Sequence, residues 1–332
     1  MWENNPRNWK SNRYLQNMKS TTPIAVASRS FSKHPILRSD LLERYIDVQF
    51  NDKGIPLSGQ ELINFAKGRE KLIIGLEIID RSILSKLPEL KVISKYGVGT
   101  NMLDITAMRR QGVKLGLTPG VNKRSVSELT IAFMISILRR LPQIQLDIRD
   151  GIWKNVIGKQ LSERTVGIIG CGNVGKDLTI ILRSFGCTVL ANDILDFPDF
   201  YKSHNVESVT LNEILRRSDI VTIHVPLNDT TRGILGSDQL RMMKSGSIVI
   251  NTARGGLIDE DEVKRLLKSG KLAGAGFDVF GTEPPKDIEL LKLPNFMATP
   301  HIGGSSEEAV LAMGRAAIAG LDNNELPETE IQ

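Results

Sequence analysis

The chain has 332 residues, 41% hydrophobic and 24% charged, an ordinary globular composition that supplies apolar material for two cores and excludes a chain too polar to bury one. Its net charge of +5 comes from 43 basic and 38 acidic residues without a basic run beyond pairs such as Arg109-Arg110, which argues against nucleic acid as a partner. Two cysteines, Cys171 and Cys187, exclude a disulfide scaffold and a thiolate metal site and fit a reducing, cytoplasmic compartment; the longest apolar stretch, Leu129 to Leu138, is too short to span a membrane.

Residues 1–20, rich in Asn, Lys and Arg and without periodicity, read as a tail, with Trp2, Trp9 and Tyr14 as candidate anchors on a partner subunit. From Pro23, strand-like runs at Ile24–Ala27, Ile46–Phe50, Leu72–Gly75, Lys91–Ser94 and Val113–Leu117 alternate with helix-like runs at Arg38–Tyr45, Gln60–Ala66, Ser82–Leu87 and Ile105–Gln111. Ser58-Gly59-Gln60-Glu61 has the spacing of a capping box. This order predicts a parallel sheet with helices on both faces. Ser125 then opens a long helix to about Leu141 whose apolar residues cover nearly its whole circumference. Such a helix must be buried, between domains or against a second subunit, and a two-fold subunit interface is the expectation.

Thr165 to Asp193 is the most informative stretch. The β-branched run Val166–Ile169 enters Gly170-Cys171-Gly172-Asn173-Val174-Gly175, a GxGxxG at the point where the hydrophobic period changes from strand to helix. Gly170 permits the tight turn, Gly172 lets a pyrophosphate approach the backbone, and Gly175 lets helix and strand pack closely. The helix N-terminus offers free N–H groups and a positive dipole. A second strand, Thr188–Asn192, ends at Asp193, placed to accept bonds from both hydroxyls of an adenosine ribose. No Arg or Lys follows in Ile194-Leu195-Asp196-Phe197 to hold a 2′-phosphate, so the expected cofactor is NAD.

Beyond this unit come a capping box at Thr210–Glu213, strands at Ile220–Val225 and Ser247–Thr252, and a helix opened by Asp259 and closed by Gly270. Strands at Ala273–Val279 and Phe296–Thr299 and a helix at Glu307–Leu321 follow. The fold class is α/β, with two doubly wound parallel-sheet domains. Three loops follow strands of the second sheet: NTARGG at 251–256, GTEPP at 281–285 and TPHIGG at 299–304. Ligands in open α/β sheets bind beyond the carboxyl ends of strands, where these loops fall. Reduction of a 2-keto acid needs its carboxylate held, its carbonyl polarised and a proton delivered as hydride arrives. Arg254 supplies a permanent planar cation, His301 a group that titrates near neutrality, and Glu283 a carboxylate to orient the imidazole and stabilise its charged form. His224 ends a strand beside Val225 and Pro226 and is expected to pack near the cofactor.

The chain resembles the D-isomer-specific 2-hydroxyacid dehydrogenases, and within them the phosphoglycerate dehydrogenase-like branch. The resemblance covers roughly Ser94 to Gly304 and rests on Tyr96-Gly97-Val98-Gly99, Thr118-Pro119-Gly120-Val121-Asn122, Ser125-Val126-Ser127-Glu128, GCGNVG, His224-Val225-Pro226-Leu227, NTARGG, GFDVF, TEPP and PHIGG. It implies that Arg254, Glu283 and His301 are catalytic, and that Asp278 of GFDVF, Thr252, Ala253, Gly303 and Gly304 lie at the cofactor beside Gly170, Gly172, Asn173, Val174, Gly175, Asp193, His224, Val225 and Pro226. It further implies that the turn Tyr96, Gly97, Val98, Gly99 offers backbone N–H groups to the substrate carboxylate. The family's plan divides the chain into a flavodoxin-like substrate domain, 21–119 with 299–332, and a Rossmann NAD-binding domain, 120–298. Asn173 stands where the family often has Arg, and Glu77 where some phosphoglycerate dehydrogenases carry an Arg toward the substrate phosphate. The regulatory domain of longer members is not expected after Gln332.

The activity so implied is NAD-dependent interconversion of a D-2-hydroxy acid and its 2-keto acid in a homodimer, without metal, nucleic acid or membrane. Glyoxylate or hydroxypyruvate reduction is one alternative. Another is a non-catalytic NAD-sensing protein like the C-terminal-binding corepressors, which a retained triad does not exclude. Glutamate at 283 argues against formate dehydrogenases, which carry glutamine there. Substrate side-chain selectivity is expected in loops around Ser28–Phe31, Leu76–Ile78 and Tyr96–Asn101.

Overall fold

The computed structural model describes residues 19–328. Trp2, Trp9 and Tyr14 of the expected tail lie outside the described residues. Ser20, also assigned to that tail, is already tied in: its N–H donates to the Arg44 carbonyl at 2.8 Å and its carbonyl accepts from Ile46 at 2.9 Å. Two compact units divide the chain, one running to Val121 and resuming at Val310, the other spanning Asn122–Ala309.

The first unit contains β1 (Ile24–Val26), α1 (Arg29–Lys33), α2 (Pro35–Leu42), β2 (Val48–Phe50), α3 (Gly59–Ala66), β3 (Lys71–Ile74), α4 (Arg81–Leu84), β4 (Val92–Lys95), α5 (Ile105–Gln111) and β5 (Lys114–Gly116). Its five strands are all parallel in the order β2-β1-β3-β4-β5, the flavodoxin-like order. One face is covered by a core including Leu62, Leu72, Ile74, Ile93 and Met108. The other holds Phe31, Leu37, Ile73, Met313, Ala317 and Leu321, the last three from the C-terminal stretch. The helix Glu307–Gly320 sits directly on β5: a Cβ at Gly116 would run into the Gly320 backbone, and Ser94 donates to the Ala317 carbonyl at 2.6 Å.

Local signals were misread at two places. The Ser58 hydroxyl makes no cap, because the Glu61 N–H is taken at 3.1 Å by the Ser58 carbonyl. The helix expected at 38–45 starts earlier, at Pro35, since the His34 imidazole accepts from the Leu37 N–H and proline suits the first helical position. The helix expected at 82–87 is the short α4, Arg81–Leu84, and the five-residue α1 carries too few periodic residues to be read from sequence.

The second unit contains α6 (Lys123–Leu138), α7 (Leu141–Arg149), β6 (Thr165–Ile169), α8 (Asn173–Ser184), β7 (Thr188–Asn192), α9 (Pro198–His204), β8 (Val206–Ser208), α10 (Leu211–Arg217) and β9 (Ile220–Ile223). After these come α11 (Ser237–Met242), β10 (Ser247–Asn251), α12 (Glu260–Lys268), β11 (Leu272–Phe277), α13 (Ile288–Leu291) and β12 (Phe296–Ala298). Seven parallel strands run β12-β11-β10-β9-β6-β7-β8, the doubly wound order whose direction of winding reverses between β6 and β9. The Thr210 capping box is formed, as is the Asp259 cap on Glu262 N–H.

Two expectations are corrected here. The long apolar helix does not need a second subunit: Val126, Ile131, Phe133, Met134, Ile137 and Leu138 of α6 are buried within this unit, against α8, β10 and β11. Glycines make the room, since Cβ atoms at Gly274 and Gly276 would meet Ile137 and Phe133. The second crossing between units falls between Ala309 and Val310 rather than at 299, because residues 299–303 are hydrogen-bonded to β11 and its following loop. Among the described residues no helix is long and apolar enough to cross a membrane.

Candidate active site

The glycine loop joins β6 to α8. Gly170 has φ of +93°, a conformation costly for any side chain, and a Cβ there would also strike the His224 carbonyl. Gly175 is buried, and a Cβ would run into the Gly170 carbonyl oxygen. Gly172 differs: it is exposed, and a methyl group would meet no protein atom within 4 Å. As N-cap of α8 it supplies no side-chain acceptor, so the first-turn N–H groups beside exposed Asn173 and half-buried Val174 are available to a ligand. A flexible open glycine before an uncapped twelve-residue helix fits a dinucleotide pyrophosphate.

Asp193, one residue beyond β7, accepts from the Cys171 N–H at 2.5 Å and the Leu195 N–H at 2.9 Å. Its carboxylate therefore holds the glycine loop as well as ending the second strand. Burial, reinforced by the charge of Asp193, pushes the Cys171 thiol up to about 11, so it stays protonated.

Across the switch point, β9 ends at His224-Val225-Pro226. The His224 N–H donates to the Ile169 carbonyl at 2.7 Å, and its Nε2 lies 2.9 Å from the Thr222 hydroxyl. Burial holds this imidazole well below the usual range and therefore neutral. Thr222 was missed in the sequence, although a residue two positions back along a strand shares its face.

The loop after β10 carries Arg254. Asn251 braces it as an Asx turn: its Oδ1 accepts from Ala253 N–H at 3.1 Å and its Nδ2 donates to the Arg254 carbonyl at 2.8 Å. The Thr252 hydroxyl shares a 2.8 Å hydrogen bond with Thr130 of α6. Half-buried Arg254 donates to the Ala253 carbonyl at 2.6 Å. Burial lowers its pKa and the Glu283 charge opposes that shift, so the guanidinium and carboxylate feel one another.

The loops after β11 and β12 meet. Asp278, 1% exposed, accepts from Thr299 Oγ1 at 2.5 Å, Ile302 N–H at 2.8 Å and Gly303 N–H at 2.8 Å. Its carboxylate is thus spent on shaping residues 299–303, with Gly304 following. His301 adopts a left-handed φ of +54° and its N–H donates to the Asp278 and Thr299 carbonyls. This places Nδ1 2.8 Å from Glu283 Oε2, while Glu283 Oε1 accepts from Phe280 N–H at 3.1 Å. A cavity of about 390 Å³, lined by Phe280, Pro284, Ala298 and Pro300 among others, lies against the pair. With Nδ1 occupied by a carboxylate, Nε2 is the nitrogen left to exchange a proton with a ligand. Of the residues expected to act on substrate, Arg254, Glu283 and His301 belong to the second unit, and the Tyr96–Gly99 turn to the first. There Gly97 has φ of +125° and the Tyr96 ring packs edge-on against Phe31 at 5.6 Å.

Residues 131–303, just over half of the chain, match the family model described as the D-isomer specific 2-hydroxyacid dehydrogenase, NAD binding domain. The chain belongs to that family. The second unit is accordingly the dehydrogenase family's NAD-binding domain, and NAD is its cofactor. Over 283 residues the chain is 38% identical to a D-3-phosphoglycerate dehydrogenase of Methanocaldococcus jannaschii, covering 84% of this chain and 54% of the relative. A hydroxypyruvate reductase of Thermotoga maritima is 36% identical over 245 residues, covering 71% and 78%. A crystal structure of a D-isomer specific 2-hydroxyacid dehydrogenase from a Polaromonas species superposes with a TM-score of 0.83 at 29% identity, covering 91% of this chain and 96% of that one. The chain spans about half the length of the curated phosphoglycerate dehydrogenases it matches.

Proposed function

We propose that the protein is an NAD-dependent dehydrogenase interconverting a D-2-hydroxy acid and its 2-keto acid, in the phosphoglycerate dehydrogenase-like branch. The observation that carries this reading is the 2.8 Å pairing of His301 Nδ1 with Glu283, beside an arginine that senses the same carboxylate. In reduction, protonated His301 gives a proton from Nε2 to the substrate oxygen; in oxidation it takes one back. Glu283 keeps the ring in one orientation and stabilises its cationic form. Arg254 binds carboxylate and carbonyl oxygens and draws electron density from the carbon under attack. Bound NAD supplies or accepts the hydride. The cofactor would be held by Gly172, Asn173 and Val174 at its pyrophosphate and by Asp193 at its adenosine ribose, with His224, Val225, Pro226, Thr252, Ala253, Gly303 and Gly304 around it. The Tyr96–Gly99 turn would donate backbone N–H groups to the substrate carboxylate.

The names of the relatives support this substrate class: a D-3-phosphoglycerate dehydrogenase and a hydroxypyruvate reductase both act on short 2-hydroxy or 2-keto acids. The direct test is loss of NADH absorbance with purified protein and a panel of glyoxylate, hydroxypyruvate, phosphohydroxypyruvate, pyruvate and 2-ketoglutarate. Turnover of one acid supports the reading. NADH binding without turnover of any favours the binding-protein alternative.

A homodimer remains part of this reading, through a different surface from α6. No residue of α7 is buried, and Leu146, Ile148, Ile152, Trp153 (91% exposed) and Ile157 (94% exposed) form an apolar stretch that a lone chain would leave in water. Two buried, unpaired thiols suit the reducing environment of a cytoplasmic enzyme.

A further inference from the structure

Glu283 stands on a loop that packing does not fix, since Gly281, Thr282, Glu283 and Pro284 are all exposed. Its restraint comes from one face of α12. Glu260, Lys264 and Lys268, at i, i+4 and i+8, stack along that helix and grip the chain on both sides of Glu283. Glu260 Oε1 accepts from the Gly281 N–H at 2.7 Å, Lys264 Nζ donates to Asp287 Oδ2 at 2.6 Å, and Lys268 Nζ donates to Glu289 Oε1 at 2.5 Å. The two lysines hold the chain after Glu283, and Glu260 holds it before.

The peptide that Glu260 takes hold of also lies against the arginine loop. A Cβ at Gly255, next to Arg254, would run into the Phe280 carbonyl and stand 2.5 Å from the Gly281 nitrogen. The Phe280–Gly281 peptide is thus held between the Arg254 loop and α12. One peptide earlier, the Phe280 N–H donates to Glu283 Oε1 at 3.1 Å, and Glu283 Oε2 meets His301 Nδ1. Rotation of this segment would carry the carboxylate away from the imidazole. Beside Glu260 the loop borders a cavity of about 300 Å³ lined by Ile258, Asp259, Thr282, Pro285 and Lys286, so no packed side chain replaces the hydrogen bond there. Burial pushes the Glu260 carboxyl up, and Asp261, Asp287 and Asp259 add to that against the Gly281 N–H. Negative charge is disfavoured at this place, and what the loop uses is an oxygen at the right reach. Building on the dehydrogenase reading, we infer that Glu260 is a positioning residue, which through the Gly281 peptide holds Glu283 against His301.

The test varies reach and charge separately. Glu260→Gln keeps the reach without the charge, Glu260→Asp keeps the charge one methylene short, and Glu260→Ala has neither. For each, kcat and KM are measured with NADH and the acid of the panel that wild type reduces, together with the NADH Kd and the ¹⁵N shift of His301 Nδ1, assigned by its loss in His301→Asn. Glu260→Asp and Glu260→Ala lower kcat by about 10- to 100-fold with the NADH Kd unchanged, and their His301 signal moves toward that of an imidazole in water. Glu260→Gln matches wild type in both. A residue that only stabilises the start of α12 acts through its charge, and the order is then reversed, with Asp like wild type and Gln impaired. That order, impairment of Gln equal to that of Ala, or a wild-type kcat and His301 signal in Ala overturns the inference. Failure of the dehydrogenase reading looks different: wild type then reduces no acid, and the His301 signal alone decides. Movement in Asp and Ala but not in Gln supports the inference, and any other pattern overturns it.

Discussion

Gly172 and Gly175 lie three residues apart in one loop, yet alanine at each should fail in a different way. At Gly175 the added methyl meets the Gly170 carbonyl oxygen, a backbone atom fixed by β6, and Ile168 Cγ2 at 3.2 Å. Overpacking of that kind costs about 1–3 kcal/mol, and in a unit of this size each kcal/mol lowers Tm by about 2–4 °C. At Gly172 the methyl meets nothing within 4 Å, and exchanging one uncapped N-cap residue for another costs under about 1 kcal/mol. That methyl instead occupies the space through which a pyrophosphate reaches the first-turn N–H groups, and the loss expected is at least about 1.4 kcal/mol, or tenfold in Kd. Differential scanning calorimetry and NADH fluorescence titration of the two variants separate these effects. Gly175→Ala should melt several degrees lower, and Gly172→Ala should melt near wild type but bind NADH tenfold or more weakly. If Gly172→Ala retained wild-type affinity, the pyrophosphate would not approach that backbone and the assignment of the loop would be wrong.

Other substitutions probe the remaining parts. His301→Asn should lower kcat by about 100- to 10,000-fold while NADH affinity persists, and an unchanged kcat refutes its role in proton transfer. Asp193→Ala should weaken NADH by roughly tenfold or more, through the loss of hydrogen bonds to a charged group, and NADPH much less; equal weakening of both points to loosening of the Cys171 peptide alone. Asp219 tests the pH dependence of stability: burial pushes its carboxyl up, but Lys244 at 2.6 Å and the Thr165 N–H at 3.0 Å outweigh that and leave it below its ordinary value. A lowered carboxylate stabilises the fold above its unfolded pKa and loses that contribution as pH falls through its folded one. Asp219→Asn should therefore cost about 0.5–1 kcal/mol near neutral pH, since the pair is partly screened by solvent, and nothing measurable in urea titrations at acid pH; a cost that persists in acid refutes the ion-pair account. Leu146→Glu combined with Trp153→Glu should convert a dimer to monomers in sedimentation equilibrium, and a wild type that sediments as a monomer removes the dimer reading.

Most strands could be read from the chain because they are short apolar runs bounded by a glycine, proline or cap; the edge strand β8, Val206–Ser208, has no buried residue and was not read. The two strand orders, by contrast, depend on which connections cross over, and no local pattern encodes that. The sequence shows how apolar α6 is but not what covers it. Its circumference required burial, and a partner subunit was the simplest cover, yet the cover comes from Gly274 and Gly276, whose missing side chains let β11 approach. The apolar surface that is left over sits beyond Arg140, whose left-handed φ of +56° breaks the helix in two. The reading of the sequence ends the long helix at about Leu141, close to that break, and assigns no element to α7, which opens at Leu141 with a proline in its first turn.

The site was legible in its chemistry and not in its geometry. One cation, one carboxylate and one imidazole at strand ends announce proton and hydride chemistry wherever the loops lead. What brings His301 to Glu283 is Asp278, a residue the family resemblance puts at the cofactor, whereas its carboxylate is consumed by Thr299, Ile302 and Gly303. Those three bonds curl the loop tightly enough to force His301 into the left-handed region, a strain a non-glycine residue bears only where the surroundings impose it. Asp278→Asn tests this chain of cause. An amide can accept two of the three bonds at most without offering an N–H to another N–H, so the loop should relax and His301 should leave Glu283. The expected result is kcat reduced nearly as far as in His301→Asn, with the double variant no worse than either, because residues acting as one unit are not additive. Full additivity of the two losses would mean that Asp278 acts on the reaction by a route other than His301.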